Sequence, residues 1–436
     1  MISRWNDLPE RLFALKANGT SVRSEILAGV TTFLTMAYII FVNPSILAQA
    51  GMDFGAVFVA TCIAAAAGSL IMGLYANYPV ALAPGMGLNA YFAFTVVPQF
   101  GGDWRLALGC VFVSGLAFLA LSLSPLREWL VNATPRSLKY GIGAGIGFFL
   151  ALIGLQNAVI VADHPVTLVT LGNLGAHGAL LAMAGFVVLV ALYFRRVPGA
   201  IMLTILGVTA AAVLLGLQPL QGVIDMPPSL APTLFEMDIR GAFEAGFVTI
   251  IFVFLLVDLL DTTGTLVSAG QRAGMMDEEG KLPRLRKAMV ADSTATVIGA
   301  ALGTSTTTSY IESTAGIETG GRTGLMAVTA GVLFLASLFL APLAGTVPVY
   351  ATAPALVFIA CLMGRGLAGI SWDDITEAMP AMVTALAIPL TFSIASGIGL
   401  GIIAYAGIKL AAGRWRDLNW AIAIIAAAFA VKLVLQ

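Results

Sequence analysis

Charge is what this chain has least of. Lys, Arg, Asp and Glu together make up 10% of its 436 residues, and the formal net charge is −1. A soluble domain carries about 25% charged residues, so an aqueous globule is excluded. There is no basic surface on which nucleic acid could bind. Cysteine is nearly absent. Cys62, Cys110 and Cys361 are scattered through apolar stretches, an odd set that reads as small buried core residues and neither as disulfides nor as a metal site. Histidine is scarcer still: His164 and His177 stand far in sequence from the acidic patches, so a His-based metal site or triad has nothing to build on. Residues 1–25 have no apolar core before Ile26 and do not read as a cleavable signal. Trp5, Leu8, Leu12 and Leu15 recur there at helical spacing beside Arg4, Arg11 and Lys16, which suits either a helix on the membrane surface or a short solvated leader.

Apolar residues fill the space that charge leaves, 59% of the chain with a mean hydropathy of +0.96. Apolar runs of roughly 17–25 residues recur from end to end, each long enough to cross a hydrocarbon core of about 30 Å. The chain is therefore expected to be an all-α polytopic membrane protein. Runs bounded by Pro, Gly and charge place spans near 26–48, 55–76, 79–97, 104–124, 137–161, 177–195 and 198–217. After a proline-rich connector (Pro219, Pro227, Pro228, Pro232), a second set falls near 242–270, 287–303, 304–321, 323–343, 347–364, 378–396 and 397–412. Seven plus seven makes about 14 transmembrane segments, and because seven is odd the second set is inverted, the arrangement of secondary transporters. Trp420–Leu435 is left over, as an interfacial segment or an extra span.

Basic residues test the orientation, since cytoplasmic loops collect Lys and Arg. With the N-terminus inside, the inner loops hold Arg127, Arg136 and Lys139; Arg195 and Arg196; Arg272, Lys281, Arg284, Arg286 and Lys287; Arg322; Arg365; and Arg414 and Arg416. The outer connections near 49–54, 162–176 and 344–346 hold none. A multi-pass protein of the cell membrane, in contact with lipid and with a cytoplasmic N-terminus, is expected.

Two spans break the helical pattern at matching places. The third opens Tyr78-Pro79-Val80-Ala81-Leu82-Ala83-Pro84-Gly85-Met86-Gly87-Leu88-Asn89, and the tenth opens with the hydroxyl-rich 304–309 run before Tyr310 and Glu312. Pro and Gly disfavour helix in the first, and β-branched residues favour extended backbone in the second. Both read as strand first and half-helix second. Unwound backbone at membrane depth is tolerated where it lines a cavity, which makes paired breaks a pointer to a substrate site.

Carboxylates in such surroundings are costly and are read as functional. Asp258 and Asp261 lie three apart on one span, with Thr265 a turn beyond Asp261, and Gly264 leaves the backbone beside them open. Glu312 falls at the start of one half-helix, where dipole and free N–H groups favour negative charge, and Asn89 at the matching start of the other. With Gly87 and Tyr310 they make a small polar pocket suited to a neutral, flat ligand with N–H donors and ring acceptors. Burial disfavours the charged form of any carboxylate, so Asp258, Asp261 and Glu312 are the candidates for proton coupling. For Asp258 a structural pairing or cap is an equal reading. Asp292, placed near the cytoplasmic end of its span, and Glu318 are weaker candidates. The run Gly141-x-Gly143-x-Gly145-x-Gly147 sits inside an apolar span without the strand–helix context of a nucleotide loop and reads as close helix packing.

Several stretches carry a family resemblance: Gly29-Val30-Thr31-Thr32-Phe33-Leu34-Thr35-Met36-Ala37-Tyr38, Ala83-Pro84-Gly85-Met86-Gly87-Leu88-Asn89-Ala90-Tyr91, Asp261-Thr262-Thr263-Gly264-Thr265, residues 304–316 and Gly320-Gly321-Arg322-Thr323-Gly324. In these, nearly end to end, the chain resembles the AzgA-like purine permeases, a branch of the nucleobase–cation symporter family that also holds uracil and xanthine permeases. The resemblance implies a core domain (26–125 and 242–343), a gate domain (126–217 and 344–413), a leader (1–25), a connector (218–241) and a C-terminal apolar segment (414–436), commonly in a homodimer. It implies a purine nucleobase held between the third, eighth and tenth spans by Asp261 and Glu312, with Asn89 shaping selectivity. Asp261 stands where the uracil and xanthine branches carry Glu, and Thr265 where relatives have His or Asp, which puts a coupling role for Thr265 in doubt. The expected activity is import of adenine, hypoxanthine or guanine, coupled to H⁺ or alternatively Na⁺, with no bound cofactor or metal. The alternatives are a facilitative carrier, an anion transporter of the sulfate-permease kind, which two carboxylates would oppose, and an intramembrane enzyme using Asp258 and Asp261.

Overall fold

The computed structural model describes residues 8–124, 134–244, 248–277 and 282–435. Arg4, Trp5, Arg127 and Lys281, used above for the leader and the orientation, lie outside the described residues.

Helix is the rule along the chain, because a backbone in lipid must satisfy its own N–H and C=O groups. The first half contains α1 (Val22–Met36), α2 (Ile39–Ala48), α3 (Phe54–Ile71), β1 (Leu82–Pro84), α4 (Met86–Tyr91), α5 (Trp104–Leu123) and α6 (Arg136–Asn157). A hairpin of β2 (Val161–His164) and β3 (Leu168–Leu171) precedes α7 (His177–Phe194) and α8 (Ala200–Leu214). The second half contains α9 (Val248–Arg272), α10 (Leu285–Leu302), β4 (Thr307–Ser309), α11 (Ser313–Glu318) and α12 (Gly324–Ala336). It closes with α13 (Val349–Gly364), α14 (Ile375–Leu390), α15 (Ile394–Ala411) and α16 (Trp420–Leu435). Among the described residues nine helical stretches are long and apolar enough to cross a membrane, with α8, α14 and Ile422–Val431 of α16 as shorter apolar helices. Each expected span has a counterpart among these elements.

Local chemistry sets the helix ends. Ser21 caps α1 by accepting the Ser24 N–H at 3.2 Å, and Asp53 caps α3 by accepting that of Ala56 at 2.7 Å. The first span is not one helix: it breaks at Ala37–Tyr38, and Pro44 lies inside α2. The connection 162–176, expected on the outer side as a loop, holds the β2–β3 hairpin. In the leader Leu8 and Leu12 are exposed, but not every apolar residue of the expected stripe is. Residues Leu8–Phe13 form a short helix whose Phe13 is buried, as is Leu15, and Asn77 Nδ2 donates to the Phe13 carbonyl at 3.0 Å. Cys361 also departs from expectation: Cys62 and Cys110 are buried, but Cys361 is exposed on α13.

The chain divides into two compact units, residues 1–123 with 187–352, and 124–186 with 353–436. Residues 187–217 and 344–352, grouped by sequence with the gate halves, fall in the first unit.

In the first unit α12 packs on α1 and α3, α10 on α3 and α5, and α9 against α5, β4 and α11. Glycines allow the closest approaches. A Cβ on Gly316 would lie 2.1 Å from Thr32 Oγ1 and 2.5 Å from the Ala28 carbonyl. The two broken spans meet as an antiparallel pair, Leu82 opposite Ser309, Ala83 opposite Thr308 and Pro84 opposite Thr307. Because the strands run in opposite senses, the half-helices α4 and α11 leave the pair in opposite directions, as inverted repeats require.

In the second unit α6 packs on α14, and α14 on α15. The glycine run does what was expected of it at three positions. A Cβ on Gly141 would sit 2.5 Å from the Ala381 carbonyl, one on Gly145 2.6 Å from Ile388 Cδ1 and one on Gly147 2.8 Å from Met363 Cβ; Gly143 faces open space. Lys409 is fully buried in α15, where it pairs with Glu377 of α14 at 2.7 Å and donates to Thr376 Oγ1 at 2.9 Å. Tyr405 at 3.2 Å and Ser137 also donate to Glu377, so the buried charge has several partners. Trp420–Leu435 packs back along α15, with Phe429 against Gly399.

Candidate functional site

The β1–β4 pair organises the polar residues of the first unit. Beyond the ladder, Gly85 donates to the Thr306 carbonyl at 2.8 Å and Tyr310 N–H to the Ala81 carbonyl at 3.0 Å. Ser69 bridges Leu82, its hydroxyl accepting the Leu82 N–H at 2.9 Å and donating to its carbonyl at 3.2 Å. Tyr310 OH donates to the Pro84 carbonyl at 2.5 Å. The hydroxyl of Tyr310, expected at the ligand, is thus committed to holding the two broken spans together.

Glu312 stands immediately before α11, as expected, and is half-buried. Its Oε1 accepts from Tyr38 OH at 2.8 Å. Asn89 is not at the start of its half-helix: α4 begins after Gly85, so Asn89 lies one turn inside. It is fully buried, and neither its Oδ1 nor its Nδ2 has a hydrogen-bond partner. Gly87 precedes it on the same short helix, half-buried.

α9 presents two different aspartates. Asp261 is exposed and makes no hydrogen bond to any described residue. A Cβ on Gly264, one turn on, would meet nothing within 4 Å, so this face of the helix opens onto free space. Asp258 is 1% exposed, and its Oδ2 accepts from Thr296 Oγ1 at 3.0 Å while Oδ1 has no partner. Thr265 is buried. The structure therefore brings α9, β4, α11 and α4 into contact around these residues, and separates Asp261 on the open face from Asp258 behind it.

Asp292 lies in the middle of α10, not near a cytoplasmic end as the sequence suggested. It is fully buried, accepting from Thr262 Oγ1 at 2.7 Å and Ser309 Oγ at 2.6 Å. Because the Thr262 hydroxyl donates to Asp292, it accepts from Thr308 Oγ1 at 2.8 Å. Thr296, which bonds Asp258, also lies 2.9 Å from the Thr307 carbonyl. A hydroxyl network from α9, α10 and β4 thus holds two buried carboxylates. Glu318 is a surface residue paired with Arg272.

Among the described residues no Lys or Arg pairs with Asp258, Asp261, Asp292 or Glu312, and no three His, Cys, Asp or Glu side chains come together as metal ligands would. Sequence reasoning missed Tyr38 and undervalued Asp292. Tyr38 had a signal in the Gly29–Tyr38 motif, and Asp292 in the Asp292-Ser293-Thr294-Ala295-Thr296 cluster of polar residues.

Comparison with known proteins agrees with this picture. The family model described as Permease family (Xan_ur_permease) matches residues 23–400. The chain is 46% identical over 425 residues to the adenine permease AdeP of Escherichia coli strain K12, covering 98% of this chain and 96% of that one. It is 45% identical over 431 residues to the guanine/hypoxanthine permease PbuO of Bacillus subtilis strain 168, covering 97% and 99%. The transmembrane domain of the cyanobacterial bicarbonate transporter BicA has the same fold, with a TM-score of 0.68 at 17% identity over 86% of this chain and 96% of that one.

Proposed function

The chain belongs to the Permease family, a multi-pass transporter and not an enzyme, and from that premise we propose that it imports purine nucleobases across the cell membrane. Asp261 carries the reading. A carboxylate with no hydrogen-bond partner among the described residues, on the open face of a membrane helix, has its acceptor capacity available for a ligand. Two adjacent N–H groups of a neutral purine can bond it with charge-assisted strength. Glu312, with one oxygen already on Tyr38, offers a second acceptor, and the unpartnered amide of Asn89 offers donor and acceptor to a ring edge. The names of AdeP and PbuO support adenine, guanine and hypoxanthine as the substrates. Two carboxylates at the site would repel an anionic substrate.

Coupling in this reading is to H⁺, with Na⁺ as the alternative, and no bound cofactor takes part. Asp258 and Asp292 are the buried acids best insulated from water, and Asp261 and Glu312 those that a ligand would touch. The N-terminus is cytoplasmic and the protein works as a homodimer.

The test is uptake of labelled adenine, hypoxanthine, guanine, xanthine and uracil in permease-deficient cells, with and without a protonophore. Purine uptake that collapses with the protonophore is expected. Uptake that survives it points to Na⁺ or to facilitated diffusion, and no uptake from protein present in the membrane overturns the assignment.

A further inference from the structure

Three cations meet at one level of the first unit, where the end of the second span, the end of α5 and the start of α10 come together. Arg284, Arg286 and Lys287 are all exposed, and among the described residues none pairs with a carboxylate. Other exposed cations, Arg105, Arg272 and Arg414, each have one. Basic loops orient any membrane protein, but orientation needs only charge, and here the positions are held. Arg286 donates to the Leu123 carbonyl at 2.8 Å. The Arg284 guanidinium stands 5.9 Å from the Tyr78 ring, whose hydroxyl donates to the Pro283 carbonyl, and Lys287 Nζ stands 5.5 Å from the Tyr75 ring. Each contact fixes a side chain without neutralising it, since rings and carbonyls remove no positive charge.

The surroundings say what kind of anion fits. Tyr75 is 50% exposed and Leu123 53% exposed, at the ends of apolar helices. A ligand held here meets positive charge at one end and apolar helix surface at the other. We infer that Arg284, Arg286 and Lys287 form a binding site for the phosphate headgroup of an anionic phospholipid, whose acyl chains lie along Tyr75 and Leu123. Basic pockets between membrane helices recognise such headgroups by charge. The site lies apart from the polar residues around β1 and β4, and its test needs no purine.

The experiment measures thermal unfolding of the purified full chain in detergent during titration with phosphatidylglycerol, phosphatidylcholine or inorganic phosphate. Phosphatidylglycerol should stabilise at concentrations where phosphatidylcholine does not. A cation beside an anionic lipid contributes about fivefold in affinity, so K287Q should need about fivefold more lipid and the triple variant R284Q/R286Q/K287Q on the order of 100-fold more. K287Q removes an exposed side chain and keeps the test available if the triple variant folds poorly. A wild-type response in K287Q and the triple variant, or equal stabilisation by phosphatidylcholine, overturns the inference. Stabilisation by inorganic phosphate alone at matching concentration overturns the lipid and leaves a soluble phosphate in its place.

Discussion

Asp261 and Asp292 belong to the same class of residue in the same apolar chain, yet the structure places them oppositely, Asp261 exposed and Asp292 buried. Among the described residues nothing is hydrogen-bonded to Asp261, so Asp261→Asn should leave the unfolding midpoint within about 2 °C of wild type, in keeping with substitutions away from packed features, while purine uptake falls to background. Asp292 accepts two hydroxyls in the core. Asp292→Ala leaves Thr262 and Ser309 short of a partner, at roughly 1–3 kcal/mol for each unsatisfied group, and should lower the midpoint measured by fluorescence-detected size exclusion. Tyr38→Phe removes the side-chain donor that the described residues place on Glu312 and should change the apparent KM for purine about tenfold or more, the worth of a hydrogen bond to a charged group; an unchanged KM would separate Glu312 from the ligand. Asp261, Glu312 and Asn89 were legible in the sequence because polar residues stand out in an apolar chain. Tyr38 was not, since an aromatic residue in an apolar run looks like packing until its hydroxyl is seen to have a partner. Asp292 was misjudged because its partners come from two other elements.

Elements were legible where backbone chemistry forced them. Pro79, Pro84 and Gly85 forbid an ordinary helix in the third span, and β-branched residues at 306–308 do the same in the tenth, so both strand–half-helix breaks could be placed from residue types alone. The break at Ala37–Tyr38 carries no Pro or Gly, and the β2–β3 hairpin is too short to register as alternation, so neither could. Packing tests the paired breaks. A Cβ on Gly85 would meet Thr308 Cγ2 at 2.8 Å, so Gly85→Val should push the strands apart, at about 1–3 kcal/mol for overpacking, and lower uptake and midpoint together. In the second unit Lys409→Met strands Glu377 beside a buried site. Breaking a buried pair costs about 3–5 kcal/mol, and a thermal shift much smaller than that of Gly85→Val would show that Glu377 finds other partners among Ser137 and Tyr405.

At the scale of the molecule, composition and loop charge were enough to read a polytopic helical protein of two inverted halves. They could not reveal how the chain divides into compact units, because that depends on which helices touch. The connector between the halves is exposed at Val223 and Ile224 but tied at both sides, by Gln221 N–H to Thr346 and by Phe235 N–H to Ala301. A chain cut between residues 223 and 224 should therefore reassemble: fragments 1–223 and 224–436 expressed together should restore purine uptake, and either alone should give none.

The antiparallel pairing of β1 with β4 has a bearing on heredity. The strand that carries Asn89 behind it and the strand that carries Glu312 behind it share a ladder of backbone bonds, and backbone is blind to side-chain spelling. Substitutions that add no bulk where the strands touch, as one at Gly85 would, leave the ladder in place, but a single residue inserted or lost in one strand shifts the frame of both. The two halves of this gene are thus free to diverge in letters across much of their span and bound to agree in length across these two strands.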